Sequence, residues 1–367
     1  MLYGWGFIAA LLLTAGLTPL IKKIAIKIGA TDQPDARKVH SRLMPRLGGV
    51  AIFLGFAAVV VTLLAAGVLP QRHQEAYLAL LIGGGMMVLV GALDDKFQLS
   101  PKLKLAGQFL AAIVPIAWGI RINLVELPFV GEGFSLGWIG IPVTILWIIA
   151  ITNAINLIDG LDGLAAGVSS IATASMLAMA VVMGNAPVIF LCAVLLGAQI
   201  AFLFYNFYPA KIFMGDSGSL FLGYSLAVLS LLGFKQVTVV SFVVPLLILG
   251  IPVTDTLFAI LRRLIQRKPV MEPDRNHLHH CLLEQGFSHR RAVLMIYGLS
   301  GIFGILAVVL SQSTQWVAVF IIVLGLLGLE LSAEKLGWIS KTYRPLLGAL
   351  QRVRSRRVRR TAPAAKK

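Results

Sequence analysis

Apolar stretches of roughly 17 to 25 residues recur along the chain, separated by short polar turns, and a helix of that length matches the hydrocarbon thickness of a bilayer. The pattern predicts an all-α polytopic membrane protein with about eleven transmembrane helices, near 3–21, 48–68, 76–93, 103–120, 138–155, 162–183, 187–205, 216–233, 238–261, 292–310 and 315–331. Residues 121–138 break the pattern. Apolar and polar positions alternate there around Pro128 to Gly133, which predicts a small β-hairpin between the fourth and fifth spans. No internal repeat or Gly/Ser linker interrupts the series, so one transmembrane catalytic domain is expected over 1–343, followed by a basic cytoplasmic tail over 344–367.

Composition agrees with a bilayer and excludes an ordinary soluble core: 58% of the residues are hydrophobic and 13% are charged. Charge placement adds an orientation. Of the 32 Lys and Arg residues, all but Arg72, Arg121 and Lys235 fall on one side of the expected spans. Basic loops stay cytoplasmic, so the N-terminus is expected outside, the C-terminus inside and the hairpin outside. The first span has no basic residue before it and is followed by Lys22 and Lys23, the pattern of an uncleaved anchor. The net charge of +16 raises nucleic acid as a partner, but the basic residues are spread over several loops and the stretch 352–360, without a nucleic-acid motif. Anionic lipid headgroups and phosphorylated substrates suit this distribution better. Cys192 lies in the seventh span and Cys281 in a loop, so no disulfide is expected.

Four polar constellations fall on the cytoplasmic side. Asp94 and Asp95 end the third span, where negative charge opposes the helix dipole, and Lys96, Lys102 and Lys104 follow. Adjacent carboxylates suit divalent-metal or proton work; a solvated helix end is the plainer alternative. Asn153, Asn156, Asp159 and Asp162 recur every three residues in N-A-I-N-L-I-D-G-L-D-G-L, offering the hard oxygen ligands that Mg²⁺ prefers. Capping of the next helix accounts for Asp162 alone. The third stretch, N-F-Y-P-A-K-I-F-M-G-D-S-G-S over 206–219, ends with Asp216 at a helix N-terminus, where a simple N-cap is the alternative to a ligand. Its Gly215, Ser217, Gly218 and Ser219 have the composition of a phosphate-binding turn, and Lys211 supplies charge. The fourth, D-R-N-H-L-H-H over 274–280, sets His277, His279 and His280 beside Arg275. A zinc site lacks a fourth ligand at suitable spacing, whereas imidazole and guanidinium together can hold a diphosphate. Asp255, near the cytoplasmic end of the ninth span, reads as a structural carboxylate paired with Arg262 or Arg263. His40, His73 and His289 read as loop residues.

In these motifs, taken in order, the chain resembles the polyprenyl-phosphate N-acetylhexosamine-1-phosphate transferase family over nearly its whole length, and most closely its UDP-GlcNAc:undecaprenyl-phosphate GlcNAc-1-phosphate transferases. The resemblance implies that Asp94 and Asp95 match the paired aspartates placed near the lipid phosphate, with Lys104 and Gln108 in the K-x-x-x-Q stretch beside them. Asn156, Asp159 and Asp162 match N-x-x-D-G-x-D-G, Asp216 the principal Mg²⁺ ligand, and Phe213 the aromatic that stacks on uracil. His277, His279 and His280 match the H-x-H-H motif of the GlcNAc branch, which differs from the three consecutive histidines of the muramyl-pentapeptide branch.

The site expected from residues and resemblance together has Asp94, Asp95, Lys104, Asp159 and Asp162 as catalytic groups, and Asp216, Asn156 and Asp159 as ligands of Mg²⁺, for which Mn²⁺ can substitute. Asn153, Asn206, Lys211, Phe213, Arg275, His277, His279 and His280 are the expected substrate contacts. The implied reaction joins undecaprenyl phosphate to the β-phosphorus of UDP-GlcNAc, releases UMP and initiates a cell-envelope glycopolymer such as teichoic acid or O-antigen, in the bacterial inner membrane with the site facing the cytoplasm. Another UDP-N-acetylhexosamine or UDP-MurNAc-pentapeptide is the alternative donor, and a homodimer is compatible with the sequence. An ion-coupled transporter would instead place its acids near the bilayer midplane.

Overall fold

The computed structural model describes residues 1–32, 43–126, 133–233, 239–265, 267, 277–313 and 315–336. Helix α1 (Leu2–Ile28) leads to a short ladder in which β1 (Thr31–Asp32) pairs antiparallel with β2 (Met44–Pro45), and α2 (Gly48–Ala65) follows. Helix α3 (Gln74–Leu78) runs through a π-helical turn, Ala79–Gly83, into α4 (Gly84–Phe97), and α5 (Pro101–Ala117) packs back on α4. Strands β3 (Leu124–Glu126) and β4 (Gly133–Ser135) pair antiparallel with Val125 opposite Phe134. The tip of the expected hairpin, 127–132, lies outside the described residues. Then come α6 (Gly140–Leu157), α7 (Leu164–Met183), α8 (Ala186–Asn206) and α9 (Gly215–Gly233). The chain continues through α10 (Val239–Ile248), α11 (Gly250–Ile265), α12 (Leu278–Glu284), α13 (His289–Ser311) and α14 (Gln315–Leu336).

Eight helices among the described residues are long and apolar enough to cross a membrane, and the protein is a multi-pass membrane protein. Large side chains such as Leu12, Leu146 and Ile305 stand exposed on its flanks, where lipid is the natural solvent. Inside the bundle, hydroxyls return to their own helices: Thr18, Thr144, Thr152 and Ser170 each donate to the carbonyl four residues earlier. The single span expected over 238–261 is instead two helices meeting at Leu249. Leu249 N and Val253 N donate to Pro245 O and Leu249 O at 2.9 and 3.0 Å, but Pro252 has no N–H to offer between them.

Helix α9 is the hub. Its apolar window is 89% buried against 28% for α1, and α2, α4, α6 and α7 pack around it. The cause lies in small residues, which let neighbouring backbones come close. A Cβ on Gly91 would stand 2.3 Å from Ser217 N, and one on Gly49 would stand 1.9 Å from Gly218 N. Helices α4 and α2 therefore press directly on the first turn of α9. The same end is tied from the other side, since Gly48 N and Gly49 N donate to Phe213 O and Met214 O, and Phe213 N donates to Pro45 O. Midway along α9 the fully buried Tyr224 donates its hydroxyl to Ala79 O at the start of the π-helical turn.

Candidate active site

The C-terminal ends of α4, α6 and α8 and the N-terminal ends of α5, α7 and α9 meet at one end of the bundle. Asp94 and Asp95 close α4, and consecutive helical residues point about 100° apart, so the two carboxylates serve different neighbours. Asp94 accepts from Leu99 N at 2.8 Å through one oxygen and faces Lys104 Nζ at 3.3 Å through the other. Asp95 is 6% exposed and turns inward, accepting from Asp216 N at 2.8 Å and Ser217 N at 3.1 Å. It caps α9 from another helix. That finding corrects the expectation of a phosphate-binding turn at Gly215–Ser219: two of its amides are already taken by a carboxylate, and Ser217 and Ser219 are fully buried. Arg46 Nε lies 3.9 Å from Asp95 and its guanidinium 3.6 Å from Asp32, a neighbour the sequence reading passed over.

Capped in this way, α9 presents Asp216 to Lys104 and Asn156. The ammonium of Lys104 bonds one carboxylate oxygen of Asp216 and lies 3.5 Å from Asn156 Oδ1. Asn156 Nδ2 donates to the other Asp216 oxygen at 3.1 Å and to Ser219 Oγ at 2.7 Å. The side chains of Lys104, Asp94 and Asp216 are 17%, 18% and 18% exposed, so the cluster is packed yet open on one side. One turn earlier, Asn153 and Gln108 exchange amide hydrogen bonds of 2.7 and 3.3 Å, and Asn153 also donates to Ile149 O. This pairing joins α5 to α6 beneath Lys104 and leaves Asn153 well satisfied.

The loop between α6 and α7 carries Asp159 and Asp162. Asp159 has its carboxyl pushed up to about 8, first by burial and then by the charge of Asp216. Asp162, expected either as a catalytic group or as a helix cap, accepts from Ala210 N at 2.9 Å and braces the segment after α8. Asn206 is equally committed, its oxygen accepting from Gly163 N at 3.1 Å and its amide donating to Ile212 O at 3.0 Å. Asp162 and Asn206 thus lock the α6–α7 loop to the 207–214 segment. Lys211 is exposed and Phe213 half-buried on that segment.

The imidazoles close the far wall. His279 is buried against Gly160, where a Cβ would stand 2.4 Å from its Nε2. Burial, and next the neighbouring His280, hold its pKa down to about 3, so it is neutral at physiological pH. His277 lies parallel to it with ring centroids 6.0 Å apart, and His280 follows 4.2 Å beyond His279. Tyr297 of α13 donates its hydroxyl to Gly163 O, which ties this wall to the α6–α7 loop. His289, read as a loop residue, begins α13 and stacks on Tyr208 at 4.6 Å. Asp255, read as a structural carboxylate, bonds His277. Arg275 lies outside the described residues.

Among the described residues no three carboxylates, thiolates or imidazoles converge as a preformed metal cage. The donors that do converge are oxygens of Asp94, Asn156 and Asp216, and a cation, the Lys104 ammonium, sits among them. Among the described residues Asp94, Asp95, Asp159 and Asp216 crowd together with Lys104 and Arg46 beside them, a concentration of carboxylate oxygens that fits a hard divalent cation.

A bundle that exposes apolar flanks and gathers carboxylate, ammonium, amide and imidazole at one end has the design of an integral-membrane enzyme handling charged substrates at the lipid boundary. The chain belongs to glycosyl transferase family 4, whose model matches residues 77–234. It is 47% identical over 340 residues, covering 92% of this chain and 93% of the relative, to the probable undecaprenyl-phosphate N-acetylglucosaminyl 1-phosphate transferase of Bacillus subtilis (strain 168). It is 35% identical to the decaprenyl-phosphate N-acetylglucosaminephosphotransferase of Mycolicibacterium smegmatis, covering 80% of this chain and 79% of the relative. To the undecaprenyl-phosphate alpha-N-acetylglucosaminyl 1-phosphate transferase of Escherichia coli (strain K12) it is 30% identical, covering 83% of each.

Proposed function

We propose that the protein transfers N-acetylglucosamine 1-phosphate from UDP-GlcNAc to undecaprenyl phosphate, releasing UMP and leaving a lipid-linked pyrophosphate. The observation that carries this reading is the convergence of Asp94, Lys104, Asn156 and Asp216 at one end of a membrane bundle, on a family 4 chain whose relatives bear transferase names of this kind. A lipid phosphate anchored in hydrocarbon and a water-soluble nucleotide can meet only at such a boundary. The H-L-H-H stretch at 277–280 favours GlcNAc over a muramyl-pentapeptide donor, and a second UDP-N-acetylhexosamine is the nearest rival.

Phosphoryl transfer asks mainly for positioning and charge neutralisation. Asp216, Asn156 and Asp159 would hold Mg²⁺, which supplies charge neutralisation at the donor diphosphate when bound. Lys104 spreads charge beside them, and Asp95 holds the first turn of α9 so that Asp216 keeps its place. The acceptor phosphate has its second pKa near 6 and arrives largely ionised, so it attacks the β-phosphorus directly, with Asp94 as an optional proton acceptor. His277, His279, His280 and Arg275 are the donor contacts of this reading, and Phe213 receives the uracil. The full set of about eleven spans, an external N-terminus and hairpin, a cytoplasmic tail after 343 and a site facing the cytoplasm of a bacterial inner membrane complete the proposal; the strongly one-sided basic loops support it.

The test is purified protein with Mg²⁺, undecaprenyl phosphate and a panel of UDP-sugars, scored for UMP. Release that needs the lipid and is fastest with UDP-GlcNAc supports the reading. Equal release with UDP-glucose, or release without lipid, sinks it.

A further inference from the structure

Asp255 has no place in the proposed chemistry, yet it is 1% exposed inside α11 and its carboxylate reaches the imidazole wall. One oxygen lies 2.8 Å from His277 Nδ1, and the other accepts from Leu278 N at 2.8 Å. His277 is itself 5% exposed. Two bonds from one carboxylate, to a ring nitrogen and to the next backbone amide, fix both the position of the imidazole and its tilt. They also fix its chemistry. An ionised carboxylate is only an acceptor, so the proton must sit on Nδ1, and Nε2 is left as the working nitrogen. Among the described residues Nε2 makes no hydrogen bond. The locked ring in turn lies parallel to His279, at 3° between planes, and His279 rests on Gly160 in the loop carrying Asp159 and Asp162.

We propose that Asp255 is a positioning residue that acts through His277: it holds the ring protonated on Nδ1 and turns Nε2 to the diphosphate of the sugar-nucleotide donor. This rests on the transfer reaction proposed above. With the donor in place the imidazole carries a second proton on Nε2 and bridges a carboxylate and a phosphoryl oxygen, the charge-assisted arrangement that neutral hydrogen bonds do not match. Asparagine at 255 keeps the shape but not the charge. Its oxygen must still serve Leu278 N–H, so its amide faces Nδ1 and forces the opposite tautomer.

The experiment uses full-length enzyme labelled with [¹⁵N]histidine, with Asp255→Asn, His277→Gln and the double variant. In the wild type the His277 nitrogen spectrum shows Nδ1 protonated, and in Asp255→Asn that signature is lost. The same variant lowers kcat/KM for UDP-GlcNAc roughly 10- to 100-fold, the scale of one charge-assisted hydrogen bond, and leaves KM for undecaprenyl phosphate unchanged. The double variant is no slower than His277→Gln alone, because both changes break one unit. Additive losses, equal damage toward both substrates, or a wild-type Nδ1 without a proton overturn the proposal; the last needs no variant to fold. Failure of the wild type to release UMP refutes the transfer reading instead, and the tautomer of His277 is then decided by the spectrum alone.

Discussion

Replacing Asp95 by alanine removes the acceptor for two buried amides, Asp216 N and Ser217 N, at the first turn of the most enclosed helix. A buried donor left without a partner costs about 1–3 kcal/mol, so two cost about 2–6 kcal/mol. At about 2 °C per kcal/mol for a large chain, the unfolding midpoint in detergent falls roughly 4–12 °C. Asparagine retains one acceptor oxygen and sheds the charge facing Asp216, so Asp95→Asn loses about half as much. Asp94→Asn breaks no helix cap and touches Lys104 at the open side, so it lowers turnover while the midpoint moves less than about 2 °C. Differential scanning fluorimetry and UMP release on the three variants separate the roles. If Asp94→Asn and Asp95→Ala lose the same stability, or if Asp95→Ala unfolds where the wild type does, the division of labour between these adjacent carboxylates is wrong.

Three further outcomes follow from the same geometry. Asp216→Ala abolishes turnover, by at least about 10³-fold, and weakens the response to Mg²⁺; near-normal activity in a Mg²⁺ titration removes the metal assignment. The Asp159 carboxyl titrates at about 8 in the fold and near 4 in an unfolded chain, so the folded state holds its proton more tightly. Without divalent cation, stability therefore falls as pH rises from about 4 to about 8, and Asp159→Asn flattens that slope in thermal scans; an unchanged slope contradicts the assignment. Gly160→Ala places a methyl 2.4 Å from His279 Nε2 and pushes the ring aside, lowering kcat/KM for UDP-GlcNAc roughly 10- to 100-fold with the fold intact. Wild-type kinetics in that variant would separate the imidazole wall from the donor.

Much of this arrangement is written locally in the chain. Hydrophobic length alone marks the eight described helices long and apolar enough to cross a membrane, and the three-residue recurrence of Asn153, Asn156, Asp159 and Asp162 gathers functional groups at a helix end. What escaped a linear reading are partnerships between distant residues. Nothing in the neighbourhood of Asp95 announces that it caps a helix beginning 120 residues later, and adjacency to Asp94 suggests a shared role that helical rotation forbids. Gln108 and Asn153 pair across 45 residues, and Asp255 meets His277 across 22, so neither shows in periodicity. The glycines at 49 and 91 are indistinguishable from ordinary membrane composition in the sequence, and only the close approach of α9 gives them a reason. The break at Leu249 was the one departure with a local sign, since Pro252 interrupts the hydrogen-bond ladder of an otherwise uniform apolar run.

The proposed transfer breaks a phosphorus–oxygen bond within the donor diphosphate and leaves the sugar–oxygen bond intact. UDP-GlcNAc carrying ³²P in its β-phosphate, incubated with the protein and undecaprenyl phosphate, measures this directly. The label is expected in the lipid fraction, with unlabelled UMP released. Label recovered in UDP, with the sugar alone on the lipid, would contradict it.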